Sequence, residues 1–190
     1  MIRANCRASF TADDFAFIVR TLSNGGLSAV SLAELLADEE TRDVILDQER
    51  LVRAVMEQSG ALSISSHLYF YLITRHVLRA AGITCRNVTD YIASLLTAFS
   101  NSARLADPGG NTSPSHYLSD ILLALKNATP RQAFLLRAHI GNYSLFLTGI
   151  FHERVHRRAE RGAPDCSFYE QMGSACFHEV SRDTVARSRR

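Results

Sequence analysis

The residues of this chain with the clearest chemical potential form the motif His152-Glu153-Arg154-Val155-His156. On an α-helix, two histidines four residues apart lie on one face, at a spacing that suits two ligands of a zinc ion. Glu153 lies beside them and can act as the general base that deprotonates a metal-bound water. Glu179 lies further along the chain and is a candidate third ligand. These residues predict a zinc site with Glu153 in the catalytic role.

The motif and the distant Glu179 together resemble the ligand pattern of the thermolysin-like zinc metallopeptidases. The resemblance covers a few residues, and it implies hydrolysis with zinc as the cofactor. Arginines surround the histidines at positions 154, 157 and 158. Since cations close to a divalent metal oppose its binding, we favour the competing interpretation, a pair of histidines on a helix surface or between helices.

Three segments of the last third of the chain resemble a group of uncharacterised bacterial proteins. They are residues 141–154 (GNYSLFLTGIFHER), 161–164 (RGAP) and 168–173 (FYEQMG). The group has no assigned activity, and its pattern has proline where this chain has His152, which implies that the HExxH match is particular to this chain. We interpret these segments as a helix hairpin in which Gly149 and Gly173 let two helices approach closely.

A second candidate site lies in the apolar segment 66–81, which predicts a buried central helix. Tyr71, Arg75 and His76 lie close together in this segment and predict a pocket for a small anion. The alternative is that these polar groups pair with neighbouring helices, as most buried polar groups do.

Helical periodicity and capping patterns run along the whole chain. Paired capping residues predict helix starts at Thr11–Asp14, Ser31–Glu34, Thr129–Pro130 and Ser167–Glu170. Apolar residues from Val44 to Met56 repeat at helical spacing and predict one surface helix, whereas Gly141-Asn142 predicts a break between helices near 130–140 and 142–160. No segment alternates as a strand does. We therefore expect an all-α protein with about eight or nine helices and no significant sheet.

The composition is that of a folded, water-soluble protein, with 46% hydrophobic and 21% charged residues in a chain of 190. There is no signal-peptide pattern and no uninterrupted apolar stretch of about 18 residues, so we expect a cytoplasmic protein that does not enter a membrane. We expect one domain, 1–190, with residues 1–60 as a candidate helical subunit and residues 106–115 as a flexible loop.

Charge is unevenly distributed along the chain. Residues 1–60 carry a net −4, residues 61–130 a net +2 and residues 131–190 a net +4, which together give +2. A total this small does not favour nucleic acid as a partner. The opposed ends can attract a second copy or another protein through helix faces.

From these features we predict a bacterial binding or interaction module that is not an enzyme and needs no cofactor. The alternative is a zinc-dependent hydrolase that uses residues 152–156.

Overall fold

The computed structural model describes residues 2–23, 28–57, 63–100 and 114–183. Within these ranges the chain forms ten α-helices, one short 3-10 helix and no strand. The predicted all-α class is confirmed, and the number of helices is slightly above the eight or nine expected. The chain divides into two compact units, Ile2–Asn101 and Ser102–Arg190.

The N-terminal unit begins with a 3-10 helix, Cys6–Ser9. Its α-helices are α1 (Ala12–Ser23), α2 (Ala29–Ala37), α3 (Glu39–Leu46), α4 (Glu49–Glu57), α5 (Ser66–Ala80) and α6 (Arg86–Ser100). The C-terminal unit contains α7 (Pro114–Lys126), α8 (Pro130–Ile150), α9 (His152–Ala159) and α10 (Cys166–Arg182). Of the predicted loop 106–115, positions 114 and 115 open α7, and the remainder lies outside the described residues.

The core of the N-terminal unit joins the first sixty residues to α5 and α6. Buried side chains of α1 to α4 form one hydrophobic cluster with Leu68, Tyr71 and Leu72 of α5 and with Ala93 of α6. The described residues of the first sixty therefore belong to the same compact unit as α5 and α6. The prediction that α5 is buried is correct for its first three turns only, because its last turn, from His76 to Ala80, is mostly exposed.

A buried carboxylate joins the starts of α1 and α5. Asp14 is fully buried and accepts a hydrogen bond of 2.8 Å from the backbone N–H of Thr11, which confirms the capping pair predicted there. It also accepts bonds of 2.7 Å from both the backbone N–H and the hydroxyl of Ser65. Ser65 in turn caps α5 by accepting from the N–H of Leu68. This contact fixes where α5 begins relative to α1.

Two of the four predicted helix starts are wrong by a few residues. Ser28, rather than Ser31, caps α2, and its hydroxyl accepts from the backbone N–H of Ser31 at 3.1 Å. Asp165, rather than Ser167, caps α10 and accepts from the N–H of Phe168 at 2.9 Å. In each case a second good capping residue lies two or three positions earlier. The predicted start at Thr129–Pro130 is confirmed, with a complete capping box.

The single helix predicted from Val44 to Met56 is also wrong. Helix α3 ends at Leu46, Asp47 takes the C-terminal cap position, and α4 starts at Glu49. Apolar spacing continues across this turn, so periodicity cannot detect it. The break is stabilised by contacts that Asp47 makes with residues far away in the sequence.

The predicted break at Gly141-Asn142 does not occur, because close packing on α10 keeps Gly141 inside α8. A Cβ atom at Gly141 would lie 2.8 Å from the ring of Phe177. One at Gly173 would lie 2.8 Å from Cβ of Ser144, so Gly173 allows close approach as predicted. Gly149 does not, since nothing lies within 4 Å of its Cβ position. The chain instead breaks at Phe151, between α8 and α9.

We expect Gly173→Ala to lower the free energy of unfolding by about 1–3 kcal/mol, because Cβ of Ser144 is fixed to its backbone and the two helices would have to separate. Gly149→Ala is the matched control, and it should leave stability unchanged or raise it by up to about 1 kcal/mol through helix propensity. Urea unfolding of both variants measures the difference. Equal effects of the two substitutions would contradict this account of the α8–α10 contact.

Candidate functional site

Asp47, in the turn between α3 and α4, is bound by three arginines. Arg75 on α5 donates from Nε and Nη2 to its two carboxylate oxygens, at 2.8 and 3.1 Å. Arg86 on α6 donates to the same oxygens from Nη1 and Nη2, at 3.3 and 2.8 Å. Arg79 on α5 donates from Nη1 to the backbone carbonyl of Asp47, at 2.9 Å. One turn residue thus holds both α5 and α6.

The network continues from Arg86 to the 3-10 helix. Nε of Arg86 lies 3.2 Å from Oδ2 of Asp43, and the Asp43 carboxylate accepts from Nη1 of Arg7 at 2.5 and 2.6 Å. Arg7 also donates from Nε to Asp90 of α6, at 2.9 Å. We call this set the Asp47 cluster, and its members are Arg7, Asp43, Asp47, Arg75, Arg79, Arg86 and Asp90.

The charges of the Asp47 cluster do not cancel. Four arginines face three aspartates, which leaves one positive charge. Arg7, Arg75 and Arg86 each make a carboxylate contact of 2.8 Å or less. Arg79 is the outermost member, with a side chain 47% exposed, and its contact with the Asp47 carboxylate is 3.8 Å. The surplus charge therefore resides on Arg79.

The pKa of Asp47 reflects these neighbours. Burial alone would raise the pKa of this carboxyl, but the hydrogen bonds from Arg75 and the charge of Arg86 outweigh burial and lower it below its usual value. The hydrogen bonds to Asp47 also raise the pKa of Arg75. Both groups remain ionised at neutral pH.

A cavity of about 410 Å³ opens beside this surplus charge, between the end of α3, α4 and α5. Its apolar lining consists of Leu46, Val52, Leu72 and Ala80. Its polar lining consists of Asp47, Glu49, Arg75, His76 and Arg79. Glu49 lies 3.5 Å from Arg53, an exposed neighbour that partly offsets its charge. The volume is within the range of about 300–1,000 Å³ typical of small-molecule sites.

The three residues predicted to form an anion pocket differ in their positions relative to the cavity. Arg75 and His76 line the cavity, but Arg75 has all three guanidinium nitrogens engaged, the third donating to the carbonyl of Thr84 at 2.7 Å. Tyr71 is fully buried and does not line the cavity, and its hydroxyl accepts from Arg86 at 3.3 Å. Arg79 also lines the cavity, and only its Nη1 donates a hydrogen bond within the described residues, so its other guanidinium N–H groups are available to a ligand.

The acidic half of the cluster was not predicted as a site. Asp43 and Asp47 are four residues apart, as are Arg75 and Arg79, so each pair lies on one face of its helix or turn. Two such pairs of opposite charge are a signal for part of the network, because Asp47 contacts both arginines of the second pair. Asp43 instead contacts Arg7 and Arg86. The sequence does not indicate that Arg7 and Arg86 join the same network, because they are far from both pairs in the chain.

The HExxH motif occupies the first turns of the short helix α9. His152, Glu153 and His156 are all exposed. Nδ1 of His152 lies 3.3 Å from Sγ of Cys166, the first residue of α10. Nε2 of His156 lies 3.9 Å from Oε1 of Glu160. The two histidines thus have different neighbours.

Glu179 is not brought to these histidines. Cys166 lies opposite His152 and Gly173 opposite Ser144, so α10 runs antiparallel to α8. Glu179 is 13 residues beyond Cys166 on the same helix, which places it roughly 20 Å further along. In the described part of the chain, no three His, Cys, Asp or Glu side chains are gathered as a metal site requires.

Comparison with family models, with curated proteins and with solved structures finds no match to this chain. Among the helices that the structure describes, none has the length and apolarity needed to cross a membrane.

We expect Asp47→Asn to lower the free energy of unfolding by about 3 kcal/mol, since it leaves buried arginines without their counter-charge. Glu49→Gln, two positions away, is the control and should change stability by less than about 0.5 kcal/mol, because Glu49 and Arg53 form an exposed pair. Denaturant unfolding at neutral pH measures both. Similar losses for the two variants would contradict a central role for Asp47.

The contribution of Asp47 should depend on pH. Because the folded-state pKa of Asp47 is lowered, its stabilising effect is complete above the unfolded-state value of about 3.9 and is lost as the pH falls through the lower folded-state pKa. The stability difference between the wild type and Asp47→Asn should accordingly shrink when unfolding is measured in increasingly acidic buffer. A difference that grows on acidification would contradict the assigned direction.

Proposed function

We propose that this protein is a non-enzymatic binding module whose N-terminal unit takes a small molecule into the cavity between the end of α3, α4 and α5. The observation that carries the proposal is the position of this cavity beside Arg79, the one arginine of the Asp47 cluster whose carboxylate contact is as long as 3.8 Å. An apolar wall with a few fixed polar groups is the usual make-up of a small-molecule site.

The state of the polar lining favours binding over catalysis. Asp47 is ionised and engaged by arginines, so it is a poor general acid or base. The described residues that line the cavity include no Ser, Thr or Cys that could serve as a nucleophile for His76. The rigid network positions charge beside the cavity without offering a group that transfers protons.

A reducing compartment such as the bacterial cytoplasm suits this chain. All four cysteines are free, and one of them, Cys85, is exposed. Burial raises the pKa of the Cys6 thiol to about 12, so this group is inert. The alternative function, a zinc-dependent hydrolase, has support from the residue types at 152–156, while the α8–α10 register separates Glu179 from them.

We expect occupancy of the cavity to be blocked by Ala80→Phe, which adds a ring at the exposed end of α5 where the cavity is lined by Ala80. The probes are three eight-carbon compounds, namely octanoate, 1-octanol and octylammonium. Methyl NMR titrations should show saturable shifts at Leu46, Val52 and Leu72 for at least one probe, and these shifts should disappear in the variant.

The neighbouring substitution Ala81→Phe is the matched control, because Ala81 is also exposed but does not line the cavity. It should leave the titration unchanged. If no probe shifts the three residues in the wild type, or if both substitutions act alike, the cavity is not a binding site.

Self-association is a second proposal, and it concerns the C-terminal unit. Ile150, Phe151 and Phe168 are 54%, 37% and 43% exposed, and each lies within two residues of the His152–Cys166 contact. Burial of these side chains against a second copy would remove apolar surface from water. The net −4 of residues 1–60 and net +4 of residues 131–190 favour attraction between copies.

We expect sedimentation velocity to show a concentration-dependent dimer that Phe168→Ser weakens by about tenfold or more, since one aromatic side chain contributes about 1.5–3 kcal/mol when buried. Val30→Ser is the control, because Val30 is 70% exposed on α2 in the N-terminal unit. A wild type that remains monomeric at high concentration would contradict the proposal.

A further inference from the structure

We infer that the ligand of the cavity is a small carboxylic acid with an apolar body, whose carboxylate binds Arg79. This inference rests on the proposed function and specifies the ligand class for the same cavity. It follows from three properties of the lining: the free edge of one guanidinium, the size of the unbalanced charge, and the apolar wall.

The guanidinium edge that is free to bind a ligand belongs to Arg79. Its Nη1 donates to the carbonyl of Asp47, which fixes the guanidinium at the edge of the cavity. Its Nε and Nη2 have no hydrogen-bond partner in the part of the chain that the structure describes. These two nitrogens form one side of the planar fork, the same side that Arg75 uses on both oxygens of Asp47. A carboxylate matches this side with two parallel hydrogen bonds.

The unbalanced charge favours a ligand with a single negative charge. Once Arg7, Arg75 and Arg86 are matched by the three aspartates, one positive charge remains in the Asp47 cluster. Glu49 also lines the cavity, and its carboxylate would repel a dianion such as a phosphate monoester about twice as strongly as a monocarboxylate. A monocarboxylate neutralises Arg79 and adds no excess charge. His76, also in the lining, is a further donor in reach of the cavity.

Apolar side chains in the lining favour a ligand with an apolar body. Leu46, Val52 and Leu72 reach the cavity with only a small part of their surface, since each is at most 6% exposed, whereas Ala80 is exposed. The gain in affinity therefore comes mainly from the methylene groups of the ligand itself, each of which should strengthen binding by up to roughly fourfold when it leaves water.

The test compares head groups at constant chain length by isothermal titration calorimetry of the full-length protein. Octanoate should bind at least tenfold more tightly than 1-octanol, because a charge-assisted bidentate pair is lost in the alcohol. Octylammonium should bind more weakly than either, since it meets the surplus positive charge of Arg79. Butanoate should bind more weakly than octanoate by about two orders of magnitude, for four missing methylenes.

The variant that isolates the head-group contact is Arg79→Gln. It should weaken octanoate at least tenfold and leave 1-octanol unchanged. Arg3→Gln is the matched control, because Arg3 is an exposed arginine of the same unit that does not line the cavity, and it should leave both affinities unchanged. Circular dichroism and thermal unfolding of each variant establish that it is folded before the titration.

The outcomes separate the inference from the proposed function. Equal affinities for octanoate and 1-octanol, or an Arg79→Gln variant that binds octanoate as the wild type does, overturn the carboxylate inference while cavity binding stands. Tighter binding of octylammonium overturns it as well. If none of the three eight-carbon probes binds, both the inference and the proposed function fail.

Discussion

The shared carboxylate of Asp47 is the constraint on which the N-terminal unit depends. It ends α3, receives the guanidinium groups of α5 and α6, and lies in the turn that starts α4. An aspartate placed among arginines is favourable only when its hydrogen bonds compensate for burial, and here four bonds to its side chain do so. The same arrangement leaves Arg79 with a single strong contact and a free edge beside a cavity. The contacts of Asp47 therefore determine both the packing of these helices and the position of the cation beside the cavity.

The C-terminal unit depends on a steric rather than an ionic constraint. Gly141 and Gly173 bring α8 and α10 together, against Phe177 and Ser144, and this contact determines the register of the two helices. The register determines which side chains lie near the HExxH motif. It places Cys166 beside His152 and leaves Glu179 far along α10. The HExxH motif thus lies on an exposed helix whose neighbours are set by packing.

Local sequence signals predicted the fold class and two of the four capped helix starts, since periodicity and capping act within a few residues. The capping pair at Thr11–Asp14 was predicted, but its second role, binding Ser65 of α5, was not. The same limit explains the candidate site. Arg75 and His76 were identified because they are close in sequence, whereas Asp47 and Arg86 meet them only through the packing of α3 and α6. The split of α3 from α4 was missed for the same reason. At Gly141 tertiary packing acts against a local signal. The low helix propensity of glycine predicts a break there, but packing against α10 keeps the residue inside α8.

The most direct test of the central claim is a crystal structure of the protein grown with octanoate. We predict electron density for the carboxylate within hydrogen-bond distance of Nε and Nη2 of Arg79, with the chain lying against Leu46, Val52 and Leu72, and with the bonds between Asp47 and Arg75 unchanged. Density for octanoate elsewhere on the protein, with the cavity filled by ordered water, would contradict the account.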